Sequence, residues 1–489
     1  WLLRSGSSIV SIPQKACSAL LRGFESRNRD WEPKNRIFVY NAFALYRIAN
    51  DKILHHPPIL RYQNPIPVTI YNTVQIEQNH ISYYSVPMEN KNEYQAQLFS
   101  NRLKKKYKEL RKWARKNRIS CYRLYDRDIP EIPVSLDLYE FLPSDVTTPL
   151  EVARFLSEQN ANLSANNPQT EEDIKQRTYA ILYLYERPYQ KEDSEEELWL
   201  SLMAQAAAEV LGIPLQNIIT KMRRHQKGKS QYEKIEDSPI KYGNDTQNIT
   251  GLVQEQGQIF KINLGTYLDN GLFFDHRPLR SIVRDTCSNK DVLNLFCYTG
   301  SFSVYAAQGN AKSVESVDLS NTYLAWAKEN LIQNGFSDKK KYIFTRQDCI
   351  QFLQEKALAQ KAKLNEEKNV ATNQRMTASQ NKDLISKAKT YDLIILDPPT
   401  FSNSKNTFNV LDINKQWPQL VKDCLNILNP NGVLYFSTNS ERLKFDPSLL
   451  PPATVTGLPI KIEDITSQTI PNDYTGSKPH RCWKFTVSD

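Results

Sequence analysis

Short apolar runs alternate with segments whose apolar residues recur every three or four positions through the second half of the chain. Such runs predict strands buried on both faces, and the spaced segments predict helices with one apolar face. Seven strands are predicted, at 292–296, 313–318, 341–345, 391–396, 433–438, 461–466 and 482–487. Helices are predicted at 322–334 and 415–428. The alternation predicts an α/β, Rossmann-like domain over 258–489 whose seven-stranded, mostly parallel sheet is covered on both faces.

The middle of the chain mixes the same two patterns on a smaller scale. Strands are predicted at 119–125, 134–139, 179–185 and 217–222, and helices at 100–117 and 195–211. The second helix is predicted to stop before Gly212 and Pro214, because both residue types interrupt helices. These elements predict a small α+β domain over 93–257, and the polar stretch 140–172 within it predicts a loop insertion around residue 160.

Two further segments have polar or irregular sequences. Residues 1–92 are too interrupted by proline for a complete domain, and a linker is predicted at 79–91. A run rich in Lys, Asn, Gln and Ala at about 356–390 predicts an exposed, partly helical or disordered insertion in the α/β domain.

Composition narrows the class of protein. No run approaches the roughly 20 apolar residues of a membrane helix, and no signal peptide is recognisable, so we expect no membrane association. Seven scattered cysteines without CxxC pairs indicate reduced thiols in a cytoplasmic protein rather than disulfides or a metal site. The formal net charge is +9. Its concentration at 102–127 and 221–234 favours contact with a phosphate backbone, although a solvated basic surface is the alternative.

The segment 294–303 lies between a predicted strand and a predicted helix, where a doubly wound sheet binds ligands. Gly300 permits a tight turn and a close approach of the backbone to a ligand. Acceptor groups around this turn suit the ammonium group of a methionine moiety, and the absence of GxGxxG argues against a dinucleotide. We therefore predict an S-adenosylmethionine site, with these candidate cofactor-binding residues: Asn294, Phe296, Tyr298, Thr299 and Gly300.

Acidic residues after the next two strands point to the same ligand. Asp318, followed by Leu319, suits the ribose hydroxyls, although it can also cap the helix that follows. Asp348, followed by Cys349, is placed to meet the adenine amino group. Because these strand ends share one edge of a parallel sheet, we predict that the loops converge.

An upstream turn at 269–277 combines polar groups with aromatic residues. Here Phe273 is a candidate for packing against the cofactor and Arg277 for holding its carboxylate, and Asp275 is also counted as a cofactor-binding residue. A tight turn with a surface ion pair is the alternative.

The candidate catalytic site follows the strand predicted at 391–396. Asp397, Pro398 and Pro399 end this strand, and the two prolines stiffen the turn and leave carbonyl groups facing the pocket. Phe401 is suited to stack on a planar base, and Asp397 is also counted as a cofactor-binding residue. Such a site suits a nucleobase held in a pocket, flipped out of a stack where necessary.

Methylation at C5 of a pyrimidine normally requires a cysteine thiolate that adds to the ring. The strand end at 436–440 reads Phe-Ser-Thr-Asn-Ser and contains no cysteine. This favours a nitrogen target. Guanine N7 exposes an in-plane lone pair and loses no proton, so positioning and charge complementarity suffice and no catalytic histidine is needed.

Several segments together resemble one enzyme family. They are 101–105, 112–114, 121–126, 226–229, 271–277, 294–300 and 397–405. From about residue 98 the chain resembles the C-terminal half, called RlmK, of the bifunctional bacterial large-subunit ribosomal RNA methyltransferases RlmKL. The resemblance implies a class I methyltransferase that uses S-adenosylmethionine to methylate guanine N7 of 23S rRNA, alone or in a large-subunit precursor. Residues 15–78 resemble the end of the preceding methyltransferase half only weakly.

The resemblance also implies that the middle domain docks RNA. Its candidate RNA-binding residues are Arg102, Lys104, Lys105, Lys112, Arg115, Lys221, Arg223, Arg224, Lys227 and Lys229. Three alternatives stay open at this point: methylation of guanine N2, methylation of cytosine C5, and a non-catalytic RNA-binding module. The absent cysteine disfavours the C5 alternative, and an aspartate rather than an asparagine at Asp397 disfavours the N2 alternative.

Overall fold

A computed structural model describes the backbone of four strands in 1–90 and residues 91–185, 192–223, 249–266, 269–371, 379–402 and 411–488. The chain divides into two compact units, Trp1–Lys91 and Asn92–Asp489. In the first unit, β1 (Leu2–Ser5) pairs with β2 (Ser8–Ser11), and β3 (Thr73–Glu77) pairs with β4 (His80–Tyr84), both antiparallel. Strand β4 lies in the segment predicted as a linker, so that prediction is wrong. The weak resemblance at 15–78 falls mostly outside the described residues.

The second unit opens with a four-stranded sheet beside four helices. Its strands are β5 (Cys121–Asp126), β6 (Val134–Glu140), β7 (Thr178–Tyr185) and β8 (Ile218–Arg223), in that order. Pairing is antiparallel except between β7 and β8, which α4 connects. The helices are α1 (Lys91–Lys116), α2 (Pro149–Ser164), α3 (Pro168–Arg177) and α4 (Asp193–Leu211). As predicted, α4 ends before Gly212, which has a left-handed backbone conformation.

Helices α2 and α3 occupy the segment predicted to be a polar loop. Local capping explains the difference. The Thr148 hydroxyl accepts a hydrogen bond from the Glu151 N–H while the Glu151 carboxylate accepts from the Thr148 N–H, and Asn167 caps α3. Pro149 and Pro168 each occupy a first helical position, where a missing N–H costs nothing. Polar composition concealed these helices because most of their surface faces solvent.

Both faces of the four-stranded sheet are buried. Along β7, Ala180, Leu182 and Leu184 pack against the core that includes α1 and α4, whereas Ile181 and Tyr183 belong to the core shared with the following domain. A hairpin of β9 (Thr250–Glu255) and β10 (Gln258–Asn263) joins the two regions. The domain boundary predicted at 257/258 falls in the turn of this hairpin, and the two regions form one compact unit.

The second sheet has seven strands, in the order β13-β12-β11-β14-β17-β19-β18. Neighbouring strands from β13 to β17 are parallel, and β19 is antiparallel to both β17 and β18. The strands are β11 (Asp291–Leu295), β12 (Ser313–Asp318), β13 (Tyr342–Arg346), β14 (Tyr391–Leu396), β17 (Leu428–Thr438), β18 (Ile460–Asp464) and β19 (Arg481–Val487). The chain runs outward from β11 in one direction and then from β14 in the other. Ligands bind at such a reversal.

Helices cover both faces of this sheet, as predicted. They are α5 (Arg277–Thr286), α6 (Ser301–Gln308), α7 (Asn321–Gln333), α8 (Cys349–Ala371), α9 (Ser379–Ser386), α10 (Ile413–Asn426) and α11 (Thr466–Thr469). On β14, Leu393 and Ile395 join one core while Ile394 and Leu396 join the other. The short strands β15 (Phe401–Ser402) and β16 (Leu411–Asp412) form a separate antiparallel pair.

The predicted insertion is partly helical because α8 continues into it from the end of β13. Asp348 caps this helix by accepting hydrogen bonds from the N–H groups of Ile350 and Gln351. Early residues of α8, such as Phe352 and Leu353, are buried, and most described positions after Ala359 are exposed. Among the described helices, none is both long enough and apolar enough to span a bilayer.

Candidate active site

The loop between β11 and α6 has an unusual backbone. Phe296, Tyr298 and Gly300 all have positive φ, at 54°, 50° and 73°. Non-glycine residues adopt this conformation only where their surroundings enforce it, and such residues cluster at functional sites. Here the Tyr298 N–H donates to the Asp318 carboxylate at 3.0 Å, and the Phe296 N–H donates to the Cys349 sulfur at 3.2 Å. The strand ends predicted to converge are therefore hydrogen-bonded to one another.

Gly300 is required for packing. A Cβ atom at this position would lie 2.7 Å from the Cβ of Ala327 on α7. The glycine thus allows α7 to approach the loop closely, in addition to adopting a positive φ. The close approach of the Gly300 backbone to a ligand stays a prediction beside this packing role.

Of the remaining predicted cofactor residues, several line the loop's edge. Asp318 accepts hydrogen bonds from the N–H groups of Tyr298 and Ser320, and burial raises the pKa of its carboxyl despite these donors. Leu319 follows it directly, and Asp348 lies at the end of β13. Phe273 keeps 44% of its surface exposed and packs on Tyr298 with ring centroids 5.3 Å apart. A carboxylate for a ribose and an exposed aromatic face fit the chemistry of a nucleoside cofactor.

Two predicted cofactor residues instead stabilise the fold. The Asn294 amide is buried and donates to the hydroxyl of Ser303 on α6. The Thr299 hydroxyl, also buried, donates to the Gly271 carbonyl at 2.6 Å. Both side chains face protein groups, so we revise the expectation that they bind the ligand. Cys349 likewise acts through its sulfur, which contacts the backbone of β12 and of the loop.

Arg277 does not offer its side chain to a ligand. It is 2% exposed, and its guanidinium binds the carboxylates of Glu255 at 2.7 Å and Asp473 at 2.9 Å. A further N–H donates to the Cys121 carbonyl at 2.9 Å. Glu255 is also paired with Arg280 at 2.7 Å. The expectation that Arg277 holds the cofactor carboxylate is therefore corrected: this side chain joins the four-stranded sheet to the second domain.

Asp397 lies at the end of β14, one strand from the loop. Its side chain is 27% exposed. Pro398 is buried and Pro399 is partly exposed, which fixes the turn, and Phe401 remains 38% exposed. The Thr400 hydroxyl hydrogen-bonds to Asn439 at the end of β17. The predicted target site therefore presents a carboxylate and an accessible aromatic ring at the carboxyl ends of the strands.

Two histidines that the sequence analysis did not identify lie behind Asp397. His276 Nε2 is 3.3 Å from the Asp397 carboxylate and 2.7 Å from the Ser437 hydroxyl. Its Nδ1 is 3.2 Å from Asp275, which also contacts His480 Nδ1 at 3.0 Å. The two imidazole rings stack with centroids 4.4 Å apart. The members of this cluster are far apart in the sequence, so no local pattern predicted it, although His276 lies in the turn at 269–277 that was predicted to contact the cofactor.

Charge within this cluster is well compensated. Burial lowers the pKa of His276, but Asp397 and Asp275 outweigh it and raise that pKa to about 10. Burial alone would raise the pKa of Asp397, yet His276 holds it below its usual range. The pKa of the Asp275 carboxyl is held well below its usual range, also because of its histidine neighbours. This predicted cofactor residue therefore supports His276 and His480 rather than facing a cofactor.

The Asp275, His276 and His480 cluster has ligand atoms within 4.8 Å of one another, a spacing compatible with a metal ion. The two rings are almost parallel, at 18°. Both Nδ1 atoms instead contact the same Asp275 oxygen, Oδ2, at 3.2 Å and 3.0 Å. The contacts between the rings and Asp275 account for the arrangement without an ion.

The described cysteines are poorly suited to nucleophilic attack. The six at positions 121, 287, 297, 349, 424 and 482 are all buried, and burial raises the pKa of each thiol. Ser437 and Thr438 occupy the end of β17 beside Asp397. These six thiols are therefore poor nucleophiles.

The predicted RNA-binding residues separate into distinct groups. Lys104, Lys105 and Lys112 are exposed on α1, and Arg115 is partly exposed. Arg102 is paired with Asp128 at 2.6 Å. The other positions, Arg223, Arg224, Lys227 and Lys229, have side chains outside the described part of the chain.

Lys221 corrects one of these predictions. It is 7% exposed, and its ammonium group donates to the Asn270 amide oxygen at 2.6 Å. The same amide donates to the hydroxyls of Tyr139 and Tyr183. Lys221 therefore joins β8 to the turn that carries Phe273. Alternate residues of a strand point to opposite faces of the sheet, and Lys221 lies on a face that is buried here.

Comparisons with known proteins agree with this fold. Residues 218–352 match the model of a family described as S-adenosylmethionine-dependent methyltransferases. The fold resembles a methyltransferase solved with S-adenosylhomocysteine, at a TM-score of 0.52 and 19% identity over 80% of this chain and 82% of that one. A Streptococcus mutans protein described as an S-adenosylmethionine-dependent methyltransferase gives a TM-score of 0.51, 19% identity, and coverage of 80% and 81%. The protein is thus an S-adenosylmethionine-dependent methyltransferase by fold and family.

Sequence relatives specify the family further. The ribosomal RNA large subunit methyltransferase K of Neisseria meningitidis is 36% identical over 79% of this chain and 86% of that protein. The K/L enzyme of Magnetococcus marinus is 35% identical over 80% of this chain, but over only 43% of its own length. The chain belongs to the family of ribosomal RNA large subunit methyltransferases K and K/L. It spans less than half the length of the K/L relatives.

Proposed function

We propose that this protein transfers a methyl group to N7 of a guanine in the 23S rRNA of the large ribosomal subunit. The observation that carries the proposal is the contact between Asp397 and His276. It supports the proposal because it pairs two oppositely charged groups while 27% of the Asp397 side chain stays exposed, so that the carboxylate is open to an incoming base. The names of the family's members support an RNA substrate from the large subunit.

S-adenosylmethionine supplies a methyl group on a positively charged sulfonium. On transfer, the carbon–sulfur bond breaks, its electron pair stays on sulfur, and the guanine N7 lone pair forms the new bond. The positive charge then lies on the base. An ionised Asp397 stabilises this developing charge, and Phe401 provides an aromatic face for stacking. No proton leaves the substrate, so the site needs no group to accept one.

The alternatives require a proton acceptor. Methylation of guanine N2 or of cytosine C5 ends with the loss of one proton from the base. At neutral pH the charged His276 holds its proton already, and Asp397, with its lowered pKa, is a weak base. The C5 reaction also needs a reactive thiolate, and burial raises the pKa of Cys297 and Cys482. These groups therefore favour a lone-pair nitrogen.

We propose that α1 contributes to RNA docking through Lys104, Lys105 and Lys112. Their exposure allows contact with phosphates, which makes binding depend on salt. We assign no docking role to Lys221, which is buried.

The proposed reaction is tested by incubating the purified protein with methyl-labelled S-adenosylmethionine and unmodified 23S rRNA, followed by nucleoside mass spectrometry. Small-subunit rRNA serves as the control substrate. We expect 7-methylguanosine from 23S rRNA only. Recovery of 5-methylcytidine or N2-methylguanosine as the product contradicts the proposal.

The docking surface is tested with the triple variant Lys104→Ser, Lys105→Ser and Lys112→Ser. We expect weaker RNA binding and a log–log salt dependence reduced by about one per lost phosphate contact. A triple Lys→Ser variant at 339–341 removes the same charge beside the amino end of β13, away from the predicted ligand edge. Equal losses of RNA affinity in both variants would refute a specific role for α1.

A further inference from the structure

The polar cluster behind Asp397 is more elaborate than a strand end requires. His276 is 6% exposed and His480 is 2% exposed, yet both rings are bound on two sides by polar groups. His480 Nε2 contacts the Thr469 hydroxyl at 2.9 Å while its Nδ1 contacts Asp275. Burying polar groups is costly unless they are paired, so a chain keeps such a cluster where its arrangement matters.

We propose that His276 is a positioning residue for methyl transfer: supported from behind by Asp275, its imidazolium fixes the Asp397 carboxylate and keeps it ionised when the base enters. This inference rests on the proposed role of Asp397 at the target base. It assigns no contact between His276 and the substrate. The residue acts through the carboxylate, which faces the pocket.

The geometry supports a direct effect on Asp397. His276 Nε2 lies 3.3 Å from one carboxylate oxygen, and no other cationic group is as close to Asp397 among the described residues. The Ser437 hydroxyl shares the same nitrogen at 2.7 Å and fixes the direction of the ring. Asp275, at 3.2 Å from Nδ1, anchors the opposite side. Nδ1 makes this ionic contact without a hydrogen bond, so Asp275 acts on the ring through its charge while Nε2 makes the contacts with Ser437 and Asp397.

The charged and titratable groups that face Asp397 come from two parts of the fold. Asp275 and His276 lie just before α5. His480 lies just before β19, and the Cys482 thiol lies on that strand. His276 and His480 favour the ionised carboxylate, whereas Asp275 opposes it. Entry of a base would expel water from Asp397 and raise the cost of its charge. A fixed counter-charge offsets this cost because it remains in place when water leaves.

The substitution His276→Gln separates charge from hydrogen bonding. A glutamine amide can still donate to Asp397 and Ser437 but carries no charge. We expect the acid limb of the kcat profile to move to higher pH by roughly 1–3 units, because Asp397 loses its cationic neighbour. At the alkaline plateau, His276→Gln should retain more activity than His276→Leu, and the Kd for S-adenosylmethionine should change little in either variant.

Thr469→Val is the matched control. It removes the buried hydroxyl that contacts His480 Nε2 and leaves His276, Asp275 and Ser437 in place beside Asp397. Its thermal stability is expected to fall while its acid limb stays at the wild-type pH. Circular dichroism across the pH range separates unfolding from titration of the site.

A second measurement does not depend on turnover. Nitrogen-15 NMR of histidine side chains in the protein without ligands reports whether His276 is an imidazolium at neutral pH. We expect the charged form in the wild type and a lower pKa for His276 in Asp397→Asn. A neutral His276 in the wild type, or an unshifted acid limb in His276→Gln, overturns the inference. Full activity of Asp397→Asn would instead refute the role proposed for Asp397 itself.

Discussion

Replacing Arg277 with methionine distinguishes a structural role from a role in cofactor binding. The guanidinium is buried between the carboxylates of Glu255 and Asp473 and the carbonyl of Cys121. Methionine keeps most of the side-chain length but removes the charge and all of these donors. Glu255 retains Arg280 at 2.7 Å, whereas the substitution removes the nearest cation from Asp473.

The expected loss of stability follows from this unequal compensation. Removing one partner of a buried ion pair costs about 3–5 kcal/mol, because the remaining charge stays buried without its counter-ion. Asp473 is 3% exposed, and burial already raises its pKa despite the presence of Arg277. We therefore expect Arg277→Met to fall in this range, and Arg277→Met with Asp473→Asn to recover part of the loss.

The assay combines urea unfolding with calorimetric titration of S-adenosylmethionine. Arg284→Met, on the same helix, is the control because the partner of its ion pair, Asp285, is 62% exposed, and such pairs are worth about 1 kcal/mol or less. We expect a large loss of stability for Arg277→Met and a nearly unchanged Kd for S-adenosylmethionine in the folded protein. An unchanged stability together with a Kd raised about tenfold would refute the structural assignment and restore the role in cofactor binding.

Two further perturbations probe packing and charge. In urea unfolding, Gly300→Ala should lower the unfolding free energy by about 2–5 kcal/mol, because the new Cβ meets Ala327 and the backbone has a positive φ. Gly335→Ala, which has a positive φ but no neighbour within 4 Å, should lower it by about 1–2 kcal/mol. Equal losses in the two variants would contradict the packing argument. The folded-state pKa values of Glu255 and Asp275 lie below their ordinary values, since neighbouring cations outweigh burial. Their contribution to stability is complete above the ordinary pKa values and is lost as pH falls through the lowered ones, so the unfolding free energy should decline from about pH 5 downwards. A flat or rising profile in urea titrations there would contradict these pKa shifts.

The strands and helices of the second domain were predictable because the apolar runs have the required spacing. Strands β12 and β14 begin and end at the predicted residues. Helices α2 and α3 were missed because caps, rather than apolar periodicity, define them. Lys221 was misassigned because charge along the sequence does not reveal which face of a strand a side chain occupies.

The candidate site was predictable only in part, for a similar reason. Asp318 and Asp397 follow strands, and the sheet order brings strand ends to one edge. His276 lies 121 positions before Asp397, and His480 lies 83 positions after it, so no local pattern connects them. Arg277 matched a family motif, but its buried partner Asp473 lies 196 positions later in the sequence.

The most direct test of the account counts the protons released for each methyl group transferred. The reaction is followed with a pH indicator in weakly buffered, mildly acidic solution, and labelled methyl groups in the RNA are counted in parallel. Methylation of guanine N7 converts one cation into another, so the account predicts no net proton release. One proton released for each methyl group transferred would contradict it, because such a result requires a proton-losing position such as guanine N2 or cytosine C5.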